Sequence, residues 1–152
     1  MKCYQLIGVP GSGKSTWIKN QDWAVDIPVV STDNFVEAYA KEQGKTYSEV
    51  FDEYMPIAVR LMANQALVCQ ANGLDVIWDQ TSTTQNSRKR KFNTLPDYEH
   101  IAVVFRTPDS EELEKRLASR PGKNIPNHVM RSMIDGFDEP TLDEGFTEIW
   151  YT

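Results

Sequence analysis

The chain has 152 residues, which suits one domain with a real core and leaves no room for a second large one. Its 40% hydrophobic and 25% charged content is ordinary for a soluble globular chain, and no apolar run reaches a membrane span. The formal net charge of −6 argues against broad non-specific nucleic-acid binding, though not against one locally basic groove.

In chain order, Cys3-Tyr4-Gln5-Leu6-Ile7 reads as a short apolar strand. It runs into Gly8-Val9-Pro10-Gly11-Ser12-Gly13-Lys14-Ser15, which fits G-x-x-x-x-G-K-[ST], the phosphate-binding loop. Glycines there let backbone N–H groups close on a phosphate chain, and Lys14 is placed to reach the β- and γ-phosphates. The Ser15 hydroxyl suits one coordination position of Mg²⁺. Thr16 and Trp17 then begin a helix whose N-terminal dipole points at the same phosphates.

Residues 27–31 give a second strand, with Pro28 confined to its start. Thr32 or Asp33 caps the next helix, which ends near Gly44. Thr46 and Glu49 form a capping box that opens a long helix. Its apolar positions are Val50, Tyr54, Ile57, Ala58, Leu61, Met62, Leu67 and Val68; Pro56 should bend or restart it, and Asn72-Gly73 ends it. Val76-Ile77-Trp78 is a third strand, apolar on both faces as a buried parallel strand is, and it delivers Asp79 at its carboxyl end.

Thr83 or Thr84 caps a helix carrying Arg88-Lys89-Arg90-Lys91, and residues 101–105 form a fourth strand. Pro108 and Asp109 start a helix with Leu113 and Leu117 inward, a loop follows at Arg120-Pro121-Gly122, and Ile125-Pro126 leads into another helix. The alternating tail, residues 146–151, suits a fifth strand. Strands separated by helices imply an α/β fold of three layers: a parallel sheet of four to five strands, helices on both faces, and ligands beyond the strands' carboxyl ends. Gly8 to Ser15, Asp33 and Asp79 all fall there. Cys3 and Cys69 have no metal-ligand spacing and read as reduced core thiols of a cytoplasmic protein. His100 and His128 lie near no motif carboxylate and read as structural.

These residues resemble the P-loop kinases of the polynucleotide kinase type, most closely the 5′-kinase domains of bacteriophage polynucleotide kinase-phosphatases. The resemblance runs to about Phe137. It rests on the loop and Trp17, on Asp33 after strand 2, on Asp79-Gln80-Thr81 after strand 3, and on Glu112 to Arg116 continued through Arg120, Ile125-Pro126 and Val129 to Met133. No Asp-x-Asp-Gly-Thr phosphatase motif is present, so a kinase domain standing alone over residues 1–152, with a lid over 116–126, is expected.

The resemblance implies ATP as phosphoryl donor with Mg²⁺, and the 5′-hydroxyl of a DNA or RNA end as acceptor. It makes Asp33 the general base and Arg120 the lid arginine over the phosphates, with Lys14 as the third catalytic residue. ATP would lie on Gly8, Pro10, Gly11, Ser12, Gly13, Lys14, Ser15 and Thr16, with Arg116 and Arg120 above and Ile125 and Pro126 against the adenine. Ser15 would hold the metal. Asp79 and Thr81 would join Asp33 on the acceptor side, and Arg88 and Arg90 would line a groove for backbone phosphates. Each has a plainer reading: Asp33 as a helix cap, Asp79 as a loop carboxylate near a Walker-B position, Arg116 and Arg120 as a solvated helix end, residues 88–91 as a solvated face.

Val36 departs from the family, which carries at that place an arginine gripping the acceptor's 3′-phosphate. The ATP half of the site therefore matches better than the acceptor half. A small-metabolite or nucleoside kinase, and a nucleotide-binding regulatory module without transferase activity, stand as alternatives. Self-association is left open, and a viral origin would place the protein in the host cytoplasm.

Overall fold

The computed structural model describes residues 1–152 and contains one five-stranded sheet with every neighbouring pair parallel. The strands are β1 (Lys2–Ile7), β2 (Val29–Val30), β3 (Val76–Asp79), β4 (Glu99–Val104) and β5 (Phe146–Tyr151), in the order β2-β3-β1-β4-β5. The helices are α1 (Lys14–Asn20), α2 (Thr32–Gln43), α3 (Tyr47–Ala71), α4 (Gln85–Thr94), α5 (Ser110–Ala118) and α6 (Asn127–Asp135). β1 and β4 bury every residue but the first, which is what central strands covered on both faces require. β1 lies mid-sheet: the chain leaves it for β2 and β3 on one side and then crosses from β3 to β4 on the other. The crevice at its carboxyl end is therefore the switch point where α/β sheets place ligands.

Local chemistry fixes the helix starts. Thr46 and Glu49 exchange the two hydrogen bonds of a capping box, Glu49 N–H to Thr46 Oγ1 at 3.2 Å and Thr46 N–H to Glu49 Oε1 at 2.9 Å. The Oγ1 of Thr84 accepts from Ser87 N–H, and Asp109 Oδ1 accepts from Glu112 N–H. Gly44 ends α2 in the left-handed region at φ 66°.

Four readings of the sequence change. Strand 2 shrinks to Val29–Val30, and β4 starts at Glu99, because strand extent depends on neighbours the sequence does not reveal. Pro56 sits inside α3 without restarting it. Ile57, Leu67 and Val68 are exposed; the inner face of α3 is instead Val50, Ala58, Met62, Ala66 and Cys69. Finally, Ser31 caps α2, its Oγ accepting Asp33 N–H at 3.1 Å, and so the Asp33 carboxylate is not spent on its own helix.

Candidate active site

Between β1 and α1 the loop turns through Gly11 at φ 82° and Gly13 at φ 104°, where a Cβ would be strained. Gly13 is also the residue before α1, so the loop's N–H groups and the helix N-terminus converge. The Lys14 ammonium donates to the carbonyls of Gly8 (2.7 Å) and Val9 (2.9 Å). Burial holds its pKa down to about 8, against the opposing pull of Asp79. Asp79, at the end of β3, is pushed above the ordinary carboxylate range, first by burial, with Lys14 pulling it back. Gly8 lies behind the loop rather than in the cleft wall. A Cβ there would come within 2.5 Å of Ser12 Oγ and 2.9 Å of Phe105 Cβ, so close packing alone requires glycine at this position.

The loop opens into a cleft of about 1080 Å³, above the roughly 300–1,000 Å³ typical of a small-molecule site and therefore roomy enough for two substrates. Lys14, Asp33, Asp79, Thr81, Arg116 and Arg120 all line it, as do Pro10, Ser15, Thr16, Ile125 and Pro126. Arg116 reaches back to the loop, donating from Nη1 to the Gly11 carbonyl at 3.0 Å and from Nε to Glu112 at 2.8 Å.

Asp33 is held by two residues that the sequence did not single out. Tyr47, the first residue of α3, donates its hydroxyl to Asp33 Oδ1 at 2.6 Å. Burial, and then this bond, push the phenol far above its ordinary pKa. Lys123 stands 3.9 Å from Asp33 Oδ2, pairs with Glu37, and lies 4.7 Å from the Tyr47 ring centroid. The segment bearing it is anchored on α3: Ser48 N–H donates to the Gly122 carbonyl, and Asn124 N–H to Ser48 Oγ. Ser48, Phe51, Asp52 and Met55 complete the α3 side of the cleft. The available signal was the spacing of Tyr47, Phe51 and Met55, apolar residues four apart and off the helix's core face.

Arg88 and Arg90 are not in the cleft. Arg88 is fully buried, with its guanidinium on both carboxylate oxygens of Glu144 (2.8 and 3.1 Å) and on the Ser82 carbonyl (3.0 Å). It clasps the tail to the loop before α4. Arg90 is exposed outside the cleft lining. Arg88 is therefore not available to an acceptor strand, which corrects the expectation for it, and Arg90 lies apart from the cleft. Val36 is likewise buried, facing the core between α2 and α3. His100 is structural as expected: Nε2 bonds the Leu95 carbonyl and Nδ1 the Gln5 amide, and burial lowers its pKa.

The donor set fits a nucleoside triphosphate with Mg²⁺. The Ser15 hydroxyl and Asp79 carboxylate are hard oxygen donors, and the left-handed glycines leave the loop backbone open to phosphate. No helix of the chain is long and apolar enough to cross a membrane.

A family model for an AAA domain matches residues 5–140. An L-seryl-tRNA(Sec) kinase of Methanococcus maripaludis is 25% identical over 142 residues, covering 89% of this chain and 52% of its own. The chain thus spans about half the length of that curated relative. A chain of the Pnkp1/Rnl/Hen1 RNA repair complex is 25% identical with a TM-score of 0.65, over 89% of this chain and 43% of that one. A protein of Chloroflexus aurantiacus J-10-fl assigned as a kinase shares the fold at TM-score 0.73 and 17% identity, over 99% of this chain and 84% of that one. Loop, sheet order and matched span agree: the chain belongs to the AAA domain family, as a P-loop domain of the kinase kind.

Proposed function

We propose that the chain is one kinase domain that transfers the γ-phosphoryl of ATP to the 5′-hydroxyl of a DNA or RNA end, with residues 116–126 as its lid. The observation that carries phosphoryl transfer is the placement of Asp33 in the same cleft as Lys14, each at the carboxyl end of a sheet strand. Tyr47 occupies Asp33 Oδ1, which leaves Oδ2 to take the acceptor proton. As that O–H breaks, the acceptor oxygen bonds the γ-phosphorus, and the bond to the β–γ bridging oxygen breaks to release ADP. Lys14, Arg116 and Arg120 neutralise charge on the transferring group. Ser15, with Asp79 beside it, would hold Mg²⁺, which would supply positive charge against that of the phosphates. Ile125 and Pro126 supply the apolar edge for adenine.

The polynucleotide acceptor is supported by the likeness to a chain of an RNA repair complex. A second reading, a kinase of a small metabolite or nucleoside, is favoured by the burial of Val36 and Arg88, which supplies no arginine from α2 or α4 to grip an acceptor phosphate. Transfer of radiolabelled γ-phosphate to 5′-hydroxyl oligonucleotides, nucleosides and sugars decides between them. Labelled oligonucleotide ends support the first reading; label confined to nucleosides or sugars moves the protein to the second.

A further inference from the structure

The α3 wall of the cleft, where Phe51, Asp52 and Met55 have no assigned role, differs chemically from the loop and lid. Tyr47, Phe51 and Met55 lie one turn apart on one face, and Ser48 and Asp52 form the adjacent row. The Phe51 ring is 37% exposed and contacts the Tyr47 ring at a centroid distance of 5.6 Å. Asp52 is exposed, and no Lys or Arg forms an ion pair with it. Of the cations in the cleft lining, Lys14, Arg116 and Arg120 come from the loop and from α5 and its end, and Lys123, beside Asp33, is engaged by Glu37, Asp33 and the Tyr47 ring. The α3 wall itself therefore offers a partly exposed aromatic ring next to an unpaired carboxylate, Asp52.

We propose that the acceptor is held by stacking a planar ring of its terminal nucleoside on Phe51, with Asp52 keeping further phosphates away. This rests on the hydroxyl-kinase reading and narrows it: the enzyme grips the terminal nucleoside and not the strand behind it. A ring face meets any base, so such a platform is tolerant of sequence. An exposed carboxylate beside it repels a phosphodiester, where a strand-binding groove would instead place lysine or arginine.

The test compares a 5′-hydroxyl thymidine dinucleotide with a long oligothymidylate, in initial-rate assays at saturating ATP and by calorimetric binding of the dinucleotide without turnover. The proposal expects acceptor KM values for the two within about threefold, and a log–log salt slope below roughly one. Phe51→Ala should raise acceptor KM by roughly tenfold or more, Phe51→Trp should restore it, and ATP KM should hold. Asp52→Asn should lower KM for the long strand more than for the dinucleotide. A KM that falls steadily with length at a salt slope of about two or more overturns the proposal. So does a Phe51→Ala variant with wild-type acceptor KM, or one that alters ATP KM instead. If no 5′-hydroxyl end is phosphorylated, it is the polynucleotide reading that fails. Ring capture is then judged by calorimetry: dinucleotide binding abolished in Phe51→Ala supports it, and absence of binding by the wild-type protein overturns it.

Discussion

Lys14 is caught between burial, which favours its neutral form, and Asp79, which favours the ammonium; burial wins and the pKa falls to about 8. The folded pKa is lower than that of the unfolded chain, so below about pH 8 the charged lysine costs folding stability. That cost is relieved as pH rises between the two values, because the unfolded chain still binds the proton. Phosphate binding runs the other way, since it needs the ammonium. The kcat/KM for ATP should therefore fall about tenfold per pH unit once pH passes about 8, and a rate flat well into alkaline pH would exclude this lysine as the phosphate ligand. Lys14→Ala should abolish transfer at every pH with the fold intact, which circular dichroism checks. At Asp33 the informative change is Tyr47→Phe. It removes one hydrogen bond to a carboxylate, worth about 1.5–3 kcal/mol, while the ring under Lys123 stays. We expect kcat to fall roughly tenfold with ATP KM within about twofold. An unchanged kcat would show that Asp33 needs no positioning from α3.

At the scale of elements, α4 is fastened to the tail by Arg88 and Glu144, both almost wholly buried. Removing one partner of a buried pair strands the other, so Arg88→Ala should cost about 3–5 kcal/mol in urea unfolding. Arg90→Ala, on the exposed side, should stay within about 0.5 kcal/mol and leave acceptor KM unchanged. Equal costs for the two would contradict the buried pair. The contrast also shows what was legible in the sequence. Caps and the phosphate loop are local, since Thr46 with Glu49, Thr84 with Ser87, and residues 8–15 carry their partners within a few positions, and these were readable. Arg88 looked like part of a basic surface run because its partner lies 56 residues away in sequence. Tyr47 and Lys123 were missed for the same reason: nothing near either in sequence reveals that the α5–α6 segment comes down on α3 beside Asp33.

Over the whole molecule, that contact joins the two sides of the sheet. α2 and α3 follow β2 at one edge, whereas α5 follows β4 on the other side of β1. Residues 119–126 line the cleft and are fixed at three places: Gly122 by its carbonyl on Ser48 N–H, Asn124 on Ser48 Oγ, and Lys123 among Glu37, Asp33 and the Tyr47 ring. The first two are neutral hydrogen bonds. Lys123 is the only charged anchor, and its side chain is mostly buried while its acidic partners are about half exposed. A pair so placed is worth about 0.2–1 kcal/mol, and the ammonium over the ring adds about 0.5–1 kcal/mol. The sum is a factor of roughly ten in the opening equilibrium expected for this segment. Lys123→Ala should accordingly speed hydrogen exchange across residues 119–126 by roughly tenfold while exchange in β1 and β4 stays at its wild-type rate. Raising the salt concentration should reproduce part of that effect in the wild-type protein and none of it in the variant, because only the ionic share is screened. ATP KM should rise several-fold, since Arg120 and Ile125 sit on the loosened segment and Lys14 does not. If exchange and ATP KM are both unchanged in Lys123→Ala, the backbone contacts at Ser48 hold the lid alone, and the two sides of the sheet are not coupled through Asp33.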